Sequence, residues 1–259
     1  MMDDRAVSEA IGFILILGLV LTGIGLVTLY GYPVLVKEQS NTDVKNMERA
    51  MIVIQNDMKS LCYKNVPYKE STLQVAGGTL EVIDFSESSS SFKISTSDEW
   101  SYPPSGSLKL GELRYRSDRS SEVITLENGA VMTRQEGQAG SAMLAEPRWF
   151  YDIDPVTDEK TFVIYIMNVT AGDHMAKSGM ATVRMKRLEK ASPQSHPPFS
   201  DPGTVTVTYT ADAKNDHSVA WKNYLTGSSL GMSSSGNTYE ILNVNKLVVK
   251  EYDIKILGI

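Results

Sequence analysis

The sequence predicts an α+β chain, with a long N-terminal hydrophobic α-helix followed by a β-rich, antiparallel sandwich- or barrel-like outer domain. Three observations predict it. No charged residue occurs from Ala10 to Val36, and a bilayer crossing needs roughly 20 apolar residues. From Val44 to Leu61 apolar residues recur at spacings of three and four, the signature of an amphipathic helix. After Asn65-Val66-Pro67 the pattern becomes alternation broken by turn residues, which is that of strands. Over its 259 residues the chain is 42 % hydrophobic and carries a net charge of −6. Its mean hydropathy is −0.17, so apart from the N-terminal run it has the composition of a water-soluble globular protein.

The apolar run ends in Tyr30-Gly31-Tyr32-Pro33 with no small-x-small cleavage site. A secretory signal peptide would also carry a net positive head, whereas here Asp3 and Asp4 stand against Arg5. The span is therefore expected to be retained, with Tyr30 and Tyr32 suited to a membrane interface. Pro33 should bend or interrupt the helix, because it lacks an N–H and crowds the preceding turn. Beyond it, Val44, Met47, Met51, Ile54, Met58 and Leu61 form an a/d seam on a helix from about Glu38 to Cys62. Such a seam packs on its own domain's sheet or, as a stalk, contacts neighbouring subunits. The span and this seam divide the N-terminal helix into an apolar part, 10–36, and an amphipathic part, 38–62.

The strand signals follow in order. Thr79–Phe85, Phe92–Ile94, Leu108–Leu110, Leu113–Arg116 and Val123–Leu126 alternate, and Glu127-Asn128-Gly129-Ala130 reads as a hairpin turn. Phe162–Met167 is almost continuously apolar, as suits a central strand buried on both faces. Val183–Leu188 and Thr204–Thr210 are expected to pair through the Pro-rich stretch 192–198, and Tyr239–Ile259 holds one or two more strands. No helix is predicted after residue 62. Ser86–Ser91 and the 193–202 segment read as exposed loops, and Gly77-Gly78 as a turn.

Residues with the means for chemistry are scattered. His174, His196 and His217 have neither H-E-x-x-H nor zinc spacing, so no metal and no cofactor is expected. His196 reads as a solvated loop side chain and Ala211–His217 as a hairpin tip. There is no G-x-S-x-G elbow, and Asp152 and Asp154, next to Pro155, look like turn formers. The single cysteine, Cys62, excludes an internal disulfide and reads as a small buried hydrophobe. The acidic balance argues against nucleic acid as a partner. The reading is thus of a protein that is not an enzyme. Asn168-Val169-Thr170 matches the N-glycosylation rule, and Asn168 is expected at a strand end facing solvent. Gly18, Thr22 and Gly25 share one helix face and offer a small-residue stripe for close packing in lipid. Glu9 sits in the first turn beside Ser8, where a carboxylate suits the helix dipole.

The run Asp4-Arg5-Ala6-Val7-Ser8-Glu9-Ala10-Ile11-Gly12-Phe13-Ile14-Leu15 resembles the class III leader of archaeal type IV pilin-like and archaellin-like proteins. Asn46–Ala50, Leu113–Arg116, Glu127–Val131 and Met143–Trp149 also resemble a family of archaeal pilin-like envelope proteins. The resemblance implies a leader, residues 1–6, cut by a prepilin peptidase between Ala6 and Val7 after the Arg5-Ala6 pair. Residues 7–62 would then be the helix and 63–259 an extracellular β-rich domain. It implies a membrane or filament location, self-association or association with other pilin-like subunits, and a role for Glu9 in packing beside the new Val7 ammonium. The alternative is a permanent single-span envelope protein whose β-domain binds glycan, protein or a surface.

Overall fold

The structure is a computed structural model that describes residues 4–64, 66–188, 194–197 and 199–259, the side chains of residues 4–9, 194 and 195 excepted. The chain divides into two units, residues 1–43 and 44–259.

Helix α1 (Asp4–Leu26) leads into a π-helical turn, Val27–Gly31, and then into α2 (Tyr32–Tyr63). In the π turn the Tyr32 N–H donates to Val27 O, five residues back. Pro33 can neither donate to the carbonyl four residues back nor avoid crowding it. The wider turn just before it is the form the expected interruption takes.

In the second unit every seam residue is buried: Val44 is 8 % exposed, and Met47, Met51, Ile54, Met58 and Leu61 are 0–1 %. They pack on the unit's own sheet, against Leu73, Leu80, Leu113, Ile124, Val183 and Ile254 among others. Of the two readings of the seam, the one that packs it on its own domain holds. Cys62 is buried at the helix end, and that burial pushes its thiol up to about 12.

The strands are β1 (Tyr68–Ile83), β2 (Ser91–Thr96), β3 (Ser101–Tyr102), β4 (Leu108–Lys109), β5 (Glu112–Ser117) and β6 (Glu122–Glu127). They continue with β7 (Ala130–Gln135), β8 (Ser141–Ala145), β9 (Trp149–Ile153), β10 (Lys160–Ala171) and β11 (Met175–Leu188). After β12 (Gln194–Ser195) and β13 (Gly203–Thr210) comes α3 (Ser218–Thr226), then β14 (Ser233–Ser235), β15 (Thr238–Val244) and β16 (Lys246–Gly258). A ten-stranded sheet runs β8-β7-β6-β5-β1-β11-β16-β10-β9, with β12 on β16. A six-stranded sheet runs β14-β15-β13-β2-β3, with β4 on β2. The large sheet carries α2 on one face and the small sheet with α3 on the other. Its two end strands, β8 and β9, are joined by only Glu146-Pro147-Arg148, so it curls like a barrel around the helix side. Gln55 ties this curl together by donating to Gly129 O at 2.6 Å and to Glu146 O at 3.0 Å.

The α+β class stands, with one departure: β10 and β16 pair in parallel, so the large sheet is mixed. β10 is the doubly buried strand its apolar run predicts, with Phe162, Ile164 and Ile166 facing the small sheet and Met167 and Val169 facing α2. The Asn128-Gly129 turn forms with φ of 50° and 70°, as a primed hairpin turn requires.

Other expectations are corrected. β11 and β13 do not pair; they lie in different sheets, and of the stretch 192–198 joining them only 194–197 is described. Gly77-Gly78 is a bulge inside β1 rather than a turn, and a Cβ on Gly78 would lie 2.3 Å from Arg116 O. Ser88 and Ser90 are buried, not in an exposed loop. His196 is also buried, 2.8 Å from Asp98 Oδ2 through Nε2, and stacks on Phe199. The segment after Ala211 is no simple hairpin tip: it leads into α3, whose Ala220, Trp221, Tyr224 and Leu225 fill the core between the sheets.

Candidate functional site

The first candidate site is the apolar span. Its large apolar side chains are exposed: Phe13 and Ile16 are 66 % exposed and Leu19 is 76 %. Burying such a side chain is worth ~1.5–3 kcal/mol, and a helix apolar all round belongs in a bilayer or inside a bundle of helices. Ala10–Tyr63 is a helix long and apolar enough to cross a membrane, with mean hydropathy 2.7 in its most apolar window. At 1.5 Å per residue the uncharged run measures about 40 Å, against ~30 Å of hydrocarbon.

Along this span, nothing lies within 4 Å of where a Cβ would sit on Gly18 or Gly25. Thr22 Oγ1 donates to Gly18 O at 2.7 Å, so its hydroxyl is satisfied within the helix. The stripe of Gly18, Thr22 and Gly25 is therefore a smooth, uncovered face. Arg5, Ala6, Val7 and Glu9 belong to the helical backbone of α1; their side chains lie outside the described residues.

The second candidate is a charged cluster inside the β unit, which sequence reasoning missed. Glu112 and Arg114 of β5 and Glu127 of β6 are 2 %, 8 % and 1 % exposed. They face the small-sheet layer because side chains alternate along a strand. Arg114 Nη2 pairs with Glu112 Oε1. Glu127 accepts from Ser90 Oγ at 2.6 Å, from Trp221 Nε1 at 3.1 Å and from Tyr209 OH at 3.4 Å. Asn215 Nδ2 donates to both Glu112 oxygens and to Thr125 Oγ1. Burial pushes both carboxyls up. Glu112 and Glu127 stand opposite each other across β5 and β6, so the two buried carboxyls titrate as a unit. The partners come from both layers, so the cluster clamps α3 and the small sheet onto β5 and β6. Its signal in the sequence is Glu112-Leu113-Arg114, with both charges on the face that strand alternation sends inward.

His217 completes this region. It is fully buried and neither ring nitrogen has a hydrogen-bond partner among the described residues. Burial, followed by the nearby Arg134 and Arg114, lowers its pKa to about 3, while Asp216 opposes the shift. A histidine depressed in the folded state costs stability as pH falls below its unfolded value, 6.5 here, down to about 3. His217→Leu removes that loss. Relative to the parent, the variant should gain ~1.4 kcal/mol for each pH unit below 6.5, measured as urea midpoints across the acid range.

Asn168 is placed differently from expectation. It lies within β10, is 5 % exposed, and its Oδ1 accepts from Gly111 N–H at 3.0 Å. The solvent-facing sequon expected at a strand end is thus corrected to a buried structural amide. Asp154 behaves as expected, its Oδ1 accepting from Val156 and Thr157 N–H in a turn. Among the described residues no group of three or more His, Cys, Asp or Glu is placed to hold a metal ion.

These features define a class: a helix able to span a membrane, followed by a helix-backed β sandwich. Residues 5–254 match DUF7289, a family of unknown function, and the chain belongs to that family. No curated protein and no solved structure matches it.

Proposed function

We propose that the chain is a non-enzymatic, pilin-like structural protein of the archaeal cell surface, a subunit or accessory subunit of a type IV pilus-like filament. A prepilin peptidase would cut after Ala6, and the span would hold the protein in the membrane before packing among its own kind. The β unit would project outside the cell. The observation that carries this reading is the span itself: a helix exposed and apolar on every side, directly after a leader-like Asp4-Arg5-Ala6-Val7. The amphipathic seam is consumed by its own sheet, so association would rest on residues 10–36.

The test is crosslinking between subunits in native membranes and in sheared surface fractions. Gly18→Ile with Gly25→Ile should leave insertion intact and cut crosslinking several-fold, because close backbone approach needs small residues. Protein that stays with membranes until detergent is added, with crosslinking unchanged in the variant, favours the permanent-anchor reading instead.

A further inference from the structure

We propose that the acidic turn at 152–159 of one copy docks on the cationic, aromatic surface around Arg148 and Tyr165 of a second copy. This contact goes beyond the packing of the span and does not depend on it.

The receiving surface lies on the face of the large sheet that carries α2, where that helix ends at Tyr63. Alternation sends Phe150 of β9, Tyr165 of β10, and Lys250 and Tyr252 of β16 to this face. The Tyr165 and Tyr252 rings stack with centroids 6.3 Å apart, and Tyr63 meets Tyr165 edge-on at 5.0 Å. Arg148 lies against these rings, its Cζ 4.8 Å from the centre of Tyr63 and 5.0 Å from that of Tyr165. Lys250 Nζ is 5.4 Å from the centre of Tyr165. Stacking fixes the guanidinium and leaves the donors in its plane free to bind a carboxylate. The Arg148 side chain is exposed and makes no hydrogen bond among the described residues. Neither it nor Lys250 forms an ion pair among them. Burial and the nearby Arg148 lower the pKa of Lys59, with Glu146 opposing, so a third cation crowds this surface. Tyr and Arg are the residue types that most often anchor protein–protein contacts.

The complement is the turn between β9 and β10. Every residue from Asp152 to Glu159 is exposed, and the segment holds Asp152, Asp154, Asp158 and Glu159 with no cation. None of the four forms an ion pair among the described residues. The adjoining Lys160 is turned away, donating to Leu242 O and lying over the Tyr151 ring. At the tip Val156 is 90 % exposed, with Ile153 at 45 %. An apolar knob rimmed by carboxylates thus matches an aromatic face rimmed by cations. The two cannot meet within one chain, because β9 is held to β10 from Trp149 to Ile153. At ~3.3 Å per residue this strand keeps Asp154 about 13 Å from Phe150. The contact therefore joins different patches on two copies, and such a contact repeats into a ring or a filament.

The test is photo-crosslinking of the full chain in lipid vesicles, with Val156 replaced by benzoylphenylalanine. Crosslinks between copies should map to Tyr63, Arg148–Phe150 or Lys250–Tyr252 by mass spectrometry. Arg148→Glu with Lys250→Glu should cut their yield about tenfold, because like charges across a contact repel strongly. Asp152→Lys with Glu159→Lys, both at exposed positions, should lower it as well. The two variants mixed, with the photoprobe on the first alone, should crosslink again, since the turn of the first meets the intact surface of the second; this also shows that both are folded. Crosslinking through the span, read separately, should be unchanged in every variant, so failure of this contact is distinguishable from failure of the assembly reading. The proposal is overturned if no crosslink forms between copies, if it maps elsewhere, if it survives both pairs of substitutions, or if mixing does not restore it.

Discussion

Replacing Arg114 by Met will destabilise the β unit by ~3–5 kcal/mol at mildly alkaline pH, the usual result of removing one partner from a buried ion pair. The variant leaves Glu112 opposite Glu127 without its paired guanidinium in a site covered from solvent. The loss will shrink on acidification. Glu112 is held above its ordinary value of 4.5, so its contribution is fully present below 4.5 and is lost as pH rises through the raised value. In the variant, with the guanidinium gone, that value rises further, and protonation relieves the strain at higher pH. Urea unfolding of parent and variant over this range gives both numbers, and Arg114→Met with Glu112→Gln should recover much of the loss. Equal stability of Arg114→Met and parent at alkaline pH would show that the cluster is not the clamp described above.

A chain starting at Lys37 will pass from needing detergent to being freely soluble, with the melting temperature of the β unit almost unchanged. The exposed Ile, Leu, Val and Phe side chains of 11–35 are each worth ~1.5–3 kcal/mol when buried, so their removal abolishes the main drive towards lipid. The core of the second unit begins at Val44, and its seam and sheets survive the truncation. Sedimentation and calorimetry without detergent check both halves of this expectation. An aggregated or unfolded product would mean that the span also supports the fold.

Much of this architecture was legible in the residues, for reasons that differ by element. The span is composition alone. The seam is a 3.6-residue period sustained from Val44 to Leu61, and such a stripe has to be covered. The Asn128-Gly129 turn was legible because few residues take positive φ twice in succession. Pairing was less so: Val183–Leu188 and Thr204–Thr210 both read as strands, yet alternation names a buried face and not a neighbour, and each joined a different sheet. Helix α3 was missed because nine residues give its period little room, although Ala220, Trp221, Tyr224 and Leu225 carry it. The same limit hid the polar interior. His196, His217, Glu112 and Asn168 are residue types that usually face water, and only the meeting of distant strands buries them. The Asn168 sequon pointed to a solvent-facing side chain, yet the residue is buried and its Oδ1 accepts from the Gly111 N–H.

The proposed function makes one claim that can be read off the native protein, that the chain is a pilin-like precursor cut after Ala6. N-terminal sequencing of protein isolated from membranes or surface fractions should give Val7, followed by Ser8 and Glu9, and Arg5→Ala with Ala6→Leu should block the cut. A native protein that still begins at Met1 or Met2 would contradict the claim and leave a retained membrane anchor in its place.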